Sequence, residues 1–272
     1  MKKILLNSLL FSTGLFFFNA CSVNKAKIDN SLEAFFKKEN VEGCFTFLDN
    51  ATGEIKLYNM AMDTSRFAPF ETFDIVSSLV LLQTGVVTDE KMTIALDSAS
   101  LKYFKGKLEP NIVNAFQFNA NPFFQKTISG MGKDTLQDWI SRLGYGNKDI
   151  SGPLDSFWLN NRLKISPDEQ LGLLKRLYFD QLPFRKTVQA SVRQMMIKEN
   201  NSAYKLAFKN GLGLENSKNR ISWVNGWVEE NNHVYFFSSV IKDKENKADL
   251  SSVHLNIVKG ILTQYGFFKG KK

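Results

Sequence analysis

The chain is short of the residues that build metal centres and imidazole-assisted nucleophiles: its 272 residues include two cysteines and two histidines. His233 falls in a strand-like segment and His254 in a helix-like one, and their separation gives no metal-ligand spacing. Cys44 alternates with its neighbours in Gly43-Cys44-Phe45-Thr46-Phe47, like a strand residue. With no second free thiol or nearby imidazole it reads as a buried structural cysteine, and no metal and no cofactor is expected. Internal repeats, low-complexity runs and linkers are also missing, so the chain is one functional unit. Acidic residues are the minority charge, 27 against 35 Lys and Arg, for a formal charge of +8. The excess is scattered apart from Lys269, Lys271 and Lys272, which describes a solvated surface. No nucleic-acid partner is expected, because the 24 phenylalanines are dispersed as packing residues and the chain carries an export signal.

What is present is ample for a core: 43% of residues are hydrophobic and 13% aromatic. Residues 1–20 form a secretory leader, with Lys2 and Lys3 ahead of an apolar run from Ile4 to Phe18 that is too short to span a bilayer. Phe18-Asn19-Ala20-Cys21-Ser22 resembles a lipoprotein box. The expected product is a membrane-anchored lipoprotein facing the periplasm, lipidated on Cys21, with simple secretion as the alternative. Residues 21–30 then form a polar tether, and residues 31–272 the folded domain.

Leu32, Phe35 and Phe36 outline a first amphipathic helix, and residues 43–49 and 54–58 alternate around Asn50-Ala51-Thr52-Gly53 as a hairpin. A long helical middle follows. Ser166-Pro167-Asp168-Glu169 is a helix start with a capping serine and proline at the first position. Another helix is predicted over 184–198. Strands over 205–213, 220–230 and 233–241, the last two joined at Asn231-Asn232, lead to a final helix over 248–265. That order predicts an α+β fold in which both chain ends complete one antiparallel sheet, flanked by helices, with a helical insertion between.

The stretch around which the rest is organised is Pro69-Phe70-Glu71-Thr72-Phe73-Asp74-Ile75, opening an apolar helix that stops at Gly85. Glu71 and Asp74 lie three residues apart, on one side of the positive end of the helix dipole. Capping alone would account for two acids there. Arg66-Phe67-Ala68-Pro69-Phe70-Glu71-Thr72-Phe73-Asp74-Ile75 and Thr84-Gly85-Val86, however, resemble the active-site segment of class D (oxacillinase-type) serine β-lactamases, R-F-x-P-A-S-T-F-K-I and T-G-V. The resemblance continues through Tyr145-Gly146-Asn147, Phe157-Trp158-Leu159, Trp223-Val224-Asn225-Gly226-Trp227-Val228-Glu229 and Val234-Tyr235-Phe236-Phe237, spanning residues 32–267.

The resemblance implies the β-lactamase and penicillin-binding-protein transpeptidase fold. It also places Glu71 where the family has its nucleophilic serine and Asp74 where it has the carboxylated lysine that serves as base. Asn119 falls at the proton-relaying second serine and Asn121 at the valine after it. Lys209-Asn210-Gly211 corresponds to the K-T-G strand, and the family's substrate-pairing arginine falls near Ser251. On that basis Glu71, Asp74 and Asn119 make up a degenerate catalytic site, and Lys209, Asn210, Gly211, Trp158, Tyr145, Asn147 and Asn121 are candidate ligand contacts. An ion-pair cluster of Glu71, Asp74 and Lys209, with Asn119 and Asn121 donating hydrogen bonds, is the expected arrangement. Three functions stay open: a catalytically silent binding or scaffolding lipoprotein of the cell envelope; altered chemistry through the two acids; and noncovalent recognition of β-lactams or wall peptides. The expected partners are correspondingly a cell-wall peptide, a β-lactam-like ligand or another envelope protein.

Overall fold

The strands in the second half of the chain alternate two apolar faces, so the sheet they form must be covered on both sides. Along β6 (Arg220–Glu230), Ile221, Trp223 and Trp227 turn to one side and Val224 and Val228 to the other. The computed structural model describes residues 26–105, 108–215, 219–245 and 249–269. The predicted leader, Cys21 and the first part of the predicted tether lie outside the described residues.

Seven strands form one sheet among the described residues, in the order β1-β3-β2-β7-β6-β5-β4. They are β1 (Ala26–Ile28), β2 (Glu42–Asp49), β3 (Ile55–Tyr58), β4 (Ile197–Asn200), β5 (Tyr204–Leu214), β6 and β7 (His233–Asp243). All neighbours are antiparallel except β1, which runs parallel to β3. On one face lie α1 (Glu33–Lys38) and α9 (Leu250–Gln264). The remaining helices are α2 (Met60–Asp63), α3 (Asp74–Thr84), α4 (Ile112–Phe118), α5 (Asn121–Ser129), α6 (Lys133–Leu143), α7 (Pro167–Tyr178) and α8 (Lys186–Met196). All of them lie between β3 and β4 in the chain, and their apolar side chains pack on the other face. The fold is α+β, as the element order predicts.

Two boundaries differ from expectation. Ala26–Ile28, within the predicted tether, is an edge strand, and Lys27 pairs with Glu54 at 2.8 Å. The helix predicted over 184–198 ends at Met196, because Ile197 and the residues after it pair with β5 as β4. Elsewhere local chemistry sets the ends. Gly85 takes φ +77°, the left-handed residue that closes α3, and Ser166 with Glu169 forms a reciprocal capping box at the start of α7.

His254 shows how the α9 layer is pinned to the sheet. Its ring lies between Ser222 Oγ on β6 (3.0 Å to Nδ1) and Ser239 Oγ on β7 (2.9 Å to Nε2), all three sealed from solvent. Ser239 gives its own proton to the Cys44 carbonyl at 2.7 Å, so it must accept from Nε2–H, leaving Nδ1 to accept from Ser222. Burial holds this imidazole neutral and pulls its pKa down to about 3.

Candidate functional site

The centre of the molecule is the contact between β5 and the turn that opens α3. Residues Phe70–Phe73 form a 3₁₀ turn, and the α-helix starts at Asp74, two residues later than the apolar pattern suggests. In a 3₁₀ turn residues three apart eclipse, so Glu71 and Asp74 still share one side. Gly211 on β5 crosses directly over the turn; a β-carbon there would come within 3.0 Å of the amide nitrogens of Glu71 and Thr72 and the carbonyl of Pro69.

Side chains alternate along β5, so Lys209 points into the helical layer. Its ammonium lies 2.7 Å from Asp74 Oδ2 and donates to the Phe116 carbonyl at 2.6 Å and to Asn119 Oδ1 at 2.7 Å. The same ammonium sits 4.3 Å from the centre of the Phe116 ring. Asn119 closes α4 in the left-handed conformation, φ +53°, which brings its side chain to the lysine. Asp74 and Lys209 are both sealed from solvent. Burial raises the Asp74 pKa to about 7; Lys209 opposes the shift and the Glu71 charge adds to it.

Glu71 is held separately. Its Oε1 accepts from the Asn121 amide at 2.8 Å, and its Oε2 accepts from the Leu212 backbone N–H at 2.8 Å. Asn121 stands at the first position of α5. The three-member ion cluster expected from the sequence is therefore a pair, Asp74 with Lys209, beside a hydrogen-bonded carboxylate. Asn121 donates as expected, but Asn119 accepts from Lys209 and does not donate to an acid.

The structure distributes the other candidate contacts through the interior. Trp158 has no exposed surface; its ring stacks on Phe73 at 5.7 Å and its carbonyl accepts from Phe70 N–H. Tyr145 is buried, and its hydroxyl meets the Gln170 amide, which also reaches Thr72 Oγ1. Asn147 ties its own loop to residues 162–164, donating to the Arg162 carbonyl and accepting from Lys164 N–H. Asn210, one residue from Lys209, faces the opposite side of the sheet and borders a groove with Ser251 at the start of α9. Glu71, Asp74, Asn119, Asn121, Lys209 and Gly211 thus share one place; Tyr145 meets its edge at Thr72 through Gln170, and Asn147 and Asn210 lie away from it.

Phe70 is the participant that the pattern of charged and polar residues does not reveal. It takes φ +47°, a conformation that strains a residue carrying a β-carbon, and its ring lies on Gly213 so closely that a β-carbon there would fall 2.0 Å from the ring. The one visible sign was a size mismatch, since the resembled segment has alanine at this position. Phe70 and Glu71 together fill the side of β5 that faces the turn.

Chemically, both acids are already engaged by the protein's own groups. A carboxyl with a pKa near 7 has the acidity of a general base, but Asp74 is enclosed and committed to Lys209. The cation beside Asp74 is the lysine ammonium, and among the described residues no three His, Cys, Asp or Glu side chains converge as a metal site. Both oxygens of Glu71 already accept hydrogen bonds, one from a backbone N–H of the kind that would otherwise stabilise an oxyanion.

Comparison with known proteins identifies the fold's lineage. Residues 40–263 match the penicillin binding protein transpeptidase domain, and the chain belongs to that family. β-Lactamase OXA-5 of Pseudomonas aeruginosa is 31% identical over 220 residues, covering 80% of this chain and 82% of that protein. The regulatory protein BlaR1 of Bacillus licheniformis is 28% identical over 234 residues, which cover 86% of this chain but only 38% of BlaR1. The solved C-terminal domain of the Bacillus licheniformis BlaR penicillin receptor superposes with a TM-score of 0.82 at 27% identity, covering 90% of this chain and 98% of that domain.

Proposed function

We propose that this chain is a penicillin-binding-type domain that has lost covalent catalysis and works by binding or scaffolding in the cell envelope, anchored through a lipid on Cys21. The observation that carries the reading is the state of Glu71. In place of a serine alcohol it offers a carboxylate, a weak nucleophile, with both oxygens already engaged. Attack on a β-lactam would give an anhydride that reverts or hydrolyses. Asp74, in place of the lysine base, cannot be carboxylated, and it supplies at short range the anion that a carboxylated lysine would have been. Lys209 neutralises it. The site keeps the charge pattern of an acyl-transfer centre without its reacting atoms.

Incubation of the purified domain with a penicillin, followed by intact-mass measurement, tests this. The expected result is an unchanged mass and no hydrolysis. A stable adduct, or hydrolysis that disappears in Glu71→Ala, would overturn the proposal. The anchor is tested separately, by the mass of the N-terminal peptide from membranes of cells expressing the wild-type chain and Cys21→Ser.

A second reading is supported by the likeness to the penicillin-receptor domain: noncovalent recognition of a β-lactam or a wall peptide, with no bond formed. Calorimetry with a wall peptide and with a penicillin separates it from pure scaffolding.

A further inference from the structure

At the end of the sheet away from Glu71, a cleft of about 440 Å³ opens on the α9 face, between the β6–β7 turn and the residues after α9. It is remote from the acid pair. Leu212, which binds Glu71, pairs with Ser222, and the cleft's Glu230 lies roughly 26 Å farther along β6 at about 3.3 Å per residue. The floor is aromatic. Phe47 stacks on Tyr235 at 5.7 Å and meets Tyr265 at 5.2 Å, and Tyr235 meets Phe267 edge-on at 4.8 Å.

Three carboxylates border these rings, and two are spoken for. Asp49 accepts from the Ala51 and Thr52 N–H groups of the hairpin turn, and Glu54 pairs with Lys27. Glu230 is different: it is 8% exposed and has no hydrogen-bond or ion-pair partner among the described residues. Glu230 is thus a carboxylate at the cleft that is not committed to another group of the protein, and a cation entering the cleft would give it a counter-charge. The two lysines at the cleft do not serve it. Lys56 holds its ammonium 5.0 Å over the Tyr265 ring, and Lys269 is exposed at the rim.

We propose that this cleft binds an organic ammonium of the kind a lysyl side chain carries, with Glu230 as its counter-ion and the Phe47, Tyr235 and Tyr265 rings beneath its methylenes. One free carboxylate over aromatic faces suits a soft, partly apolar cation; a divalent metal ion would require several oxygen ligands. The seat of Lys56 over Tyr265 shows these rings accepting an ammonium already. The volume suits a side chain or small peptide segment. This site is independent of the reading of Glu71.

The test is calorimetric titration of the purified chain with N-acetyl-lysine methylamide, which carries one ammonium and no carboxylate, beside its neutral counterpart N-acetyl-norleucine methylamide. Saturable binding of the lysine probe is expected, at least about tenfold tighter than the norleucine probe and lost to a similar degree in Glu230→Gln. Equal binding of the two probes, no binding of the lysine probe, or full affinity in a folded Glu230→Gln would each overturn the assignment. If Glu230→Gln does not fold, the comparison of the two probes on the unaltered chain decides alone.

Discussion

Lys209 and Asp74 meet at 2.7 Å with neither side chain reachable by solvent, joining the central strand of the chain's second half to the first residue of the buried helix. Lys209 has two further acceptors, whereas Asp74 has the ammonium as its one compensating group among the described residues. Breaking such a pair from one side leaves a buried charge uncompensated.

Either Asp74→Leu or Lys209→Met alone should therefore cost about 3–5 kcal/mol. The double variant should recover most of that loss, because two apolar side chains of similar volume need no desolvation of charge. Urea unfolding of the four proteins checks this. Additive losses in the double variant would show that the two groups are not coupled.

Phe70 and Gly213 should also be coupled. Gly213→Ala is expected to destabilise by about 1–3 kcal/mol, since the added methyl runs into the Phe70 ring. In a Phe70→Ala background the same change should cost far less, giving a clear interaction energy in a double-mutant cycle of thermal unfolding. An unchanged penalty would mean that the strand and not the ring sets the need for glycine.

The buried imidazole of α9 predicts acid sensitivity. The His254 pKa is pulled from its usual 6.5 to about 3 by burial, so between those values the unfolded chain binds a proton that the folded one refuses. Its contribution is fully present above pH 6.5 and is lost as pH falls toward 3, amounting to about 5 kcal/mol at most. Melting temperature against pH should fall through that window. The fall should be shallower in His254→Asn, which keeps a polar side chain between Ser222 and Ser239 but does not titrate.

Removing the amide that holds Glu71 gives a milder prediction. Asn121→Ala should cost about 1–3 kcal/mol by leaving Glu71 Oε1 short of a donor at 7% exposure. It should create no β-lactam adduct in an intact-mass experiment, because the other oxygen stays bound to Leu212. Adduct formation on this variant would show that Asn121 alone had been holding the site silent.

Much of the fold was legible because its signals are local. The apolar run ending at Gly85, the Ser166 to Glu169 capping box and the Asn231-Asn232 turn each depend on residues a few positions apart, and each lies where the pattern puts it. The site was legible in membership more than in wiring. Glu71, Asp74, Asn119, Asn121 and Lys209 do converge, but which atom binds which depends on backbone groups far away in sequence, such as the Leu212 N–H and the Phe116 carbonyl. The burial of Trp158 and Tyr145 is not written in their motifs, which carry no information on depth. The left-handed twist at Phe70 left no trace beyond a bulky residue in a small residue's place.

The crossing of Gly211 over the 3₁₀ turn constrains more than the local geometry. Sheet and helical insertion touch there backbone to backbone, with Lys209 and the Phe70 ring locking the seam on either side. At that crossing no side chain separates the two layers. They should consequently lose structure together, in a single sharp transition, and the amide hydrogens of β5 and α3 should exchange with solvent only when the entire body opens.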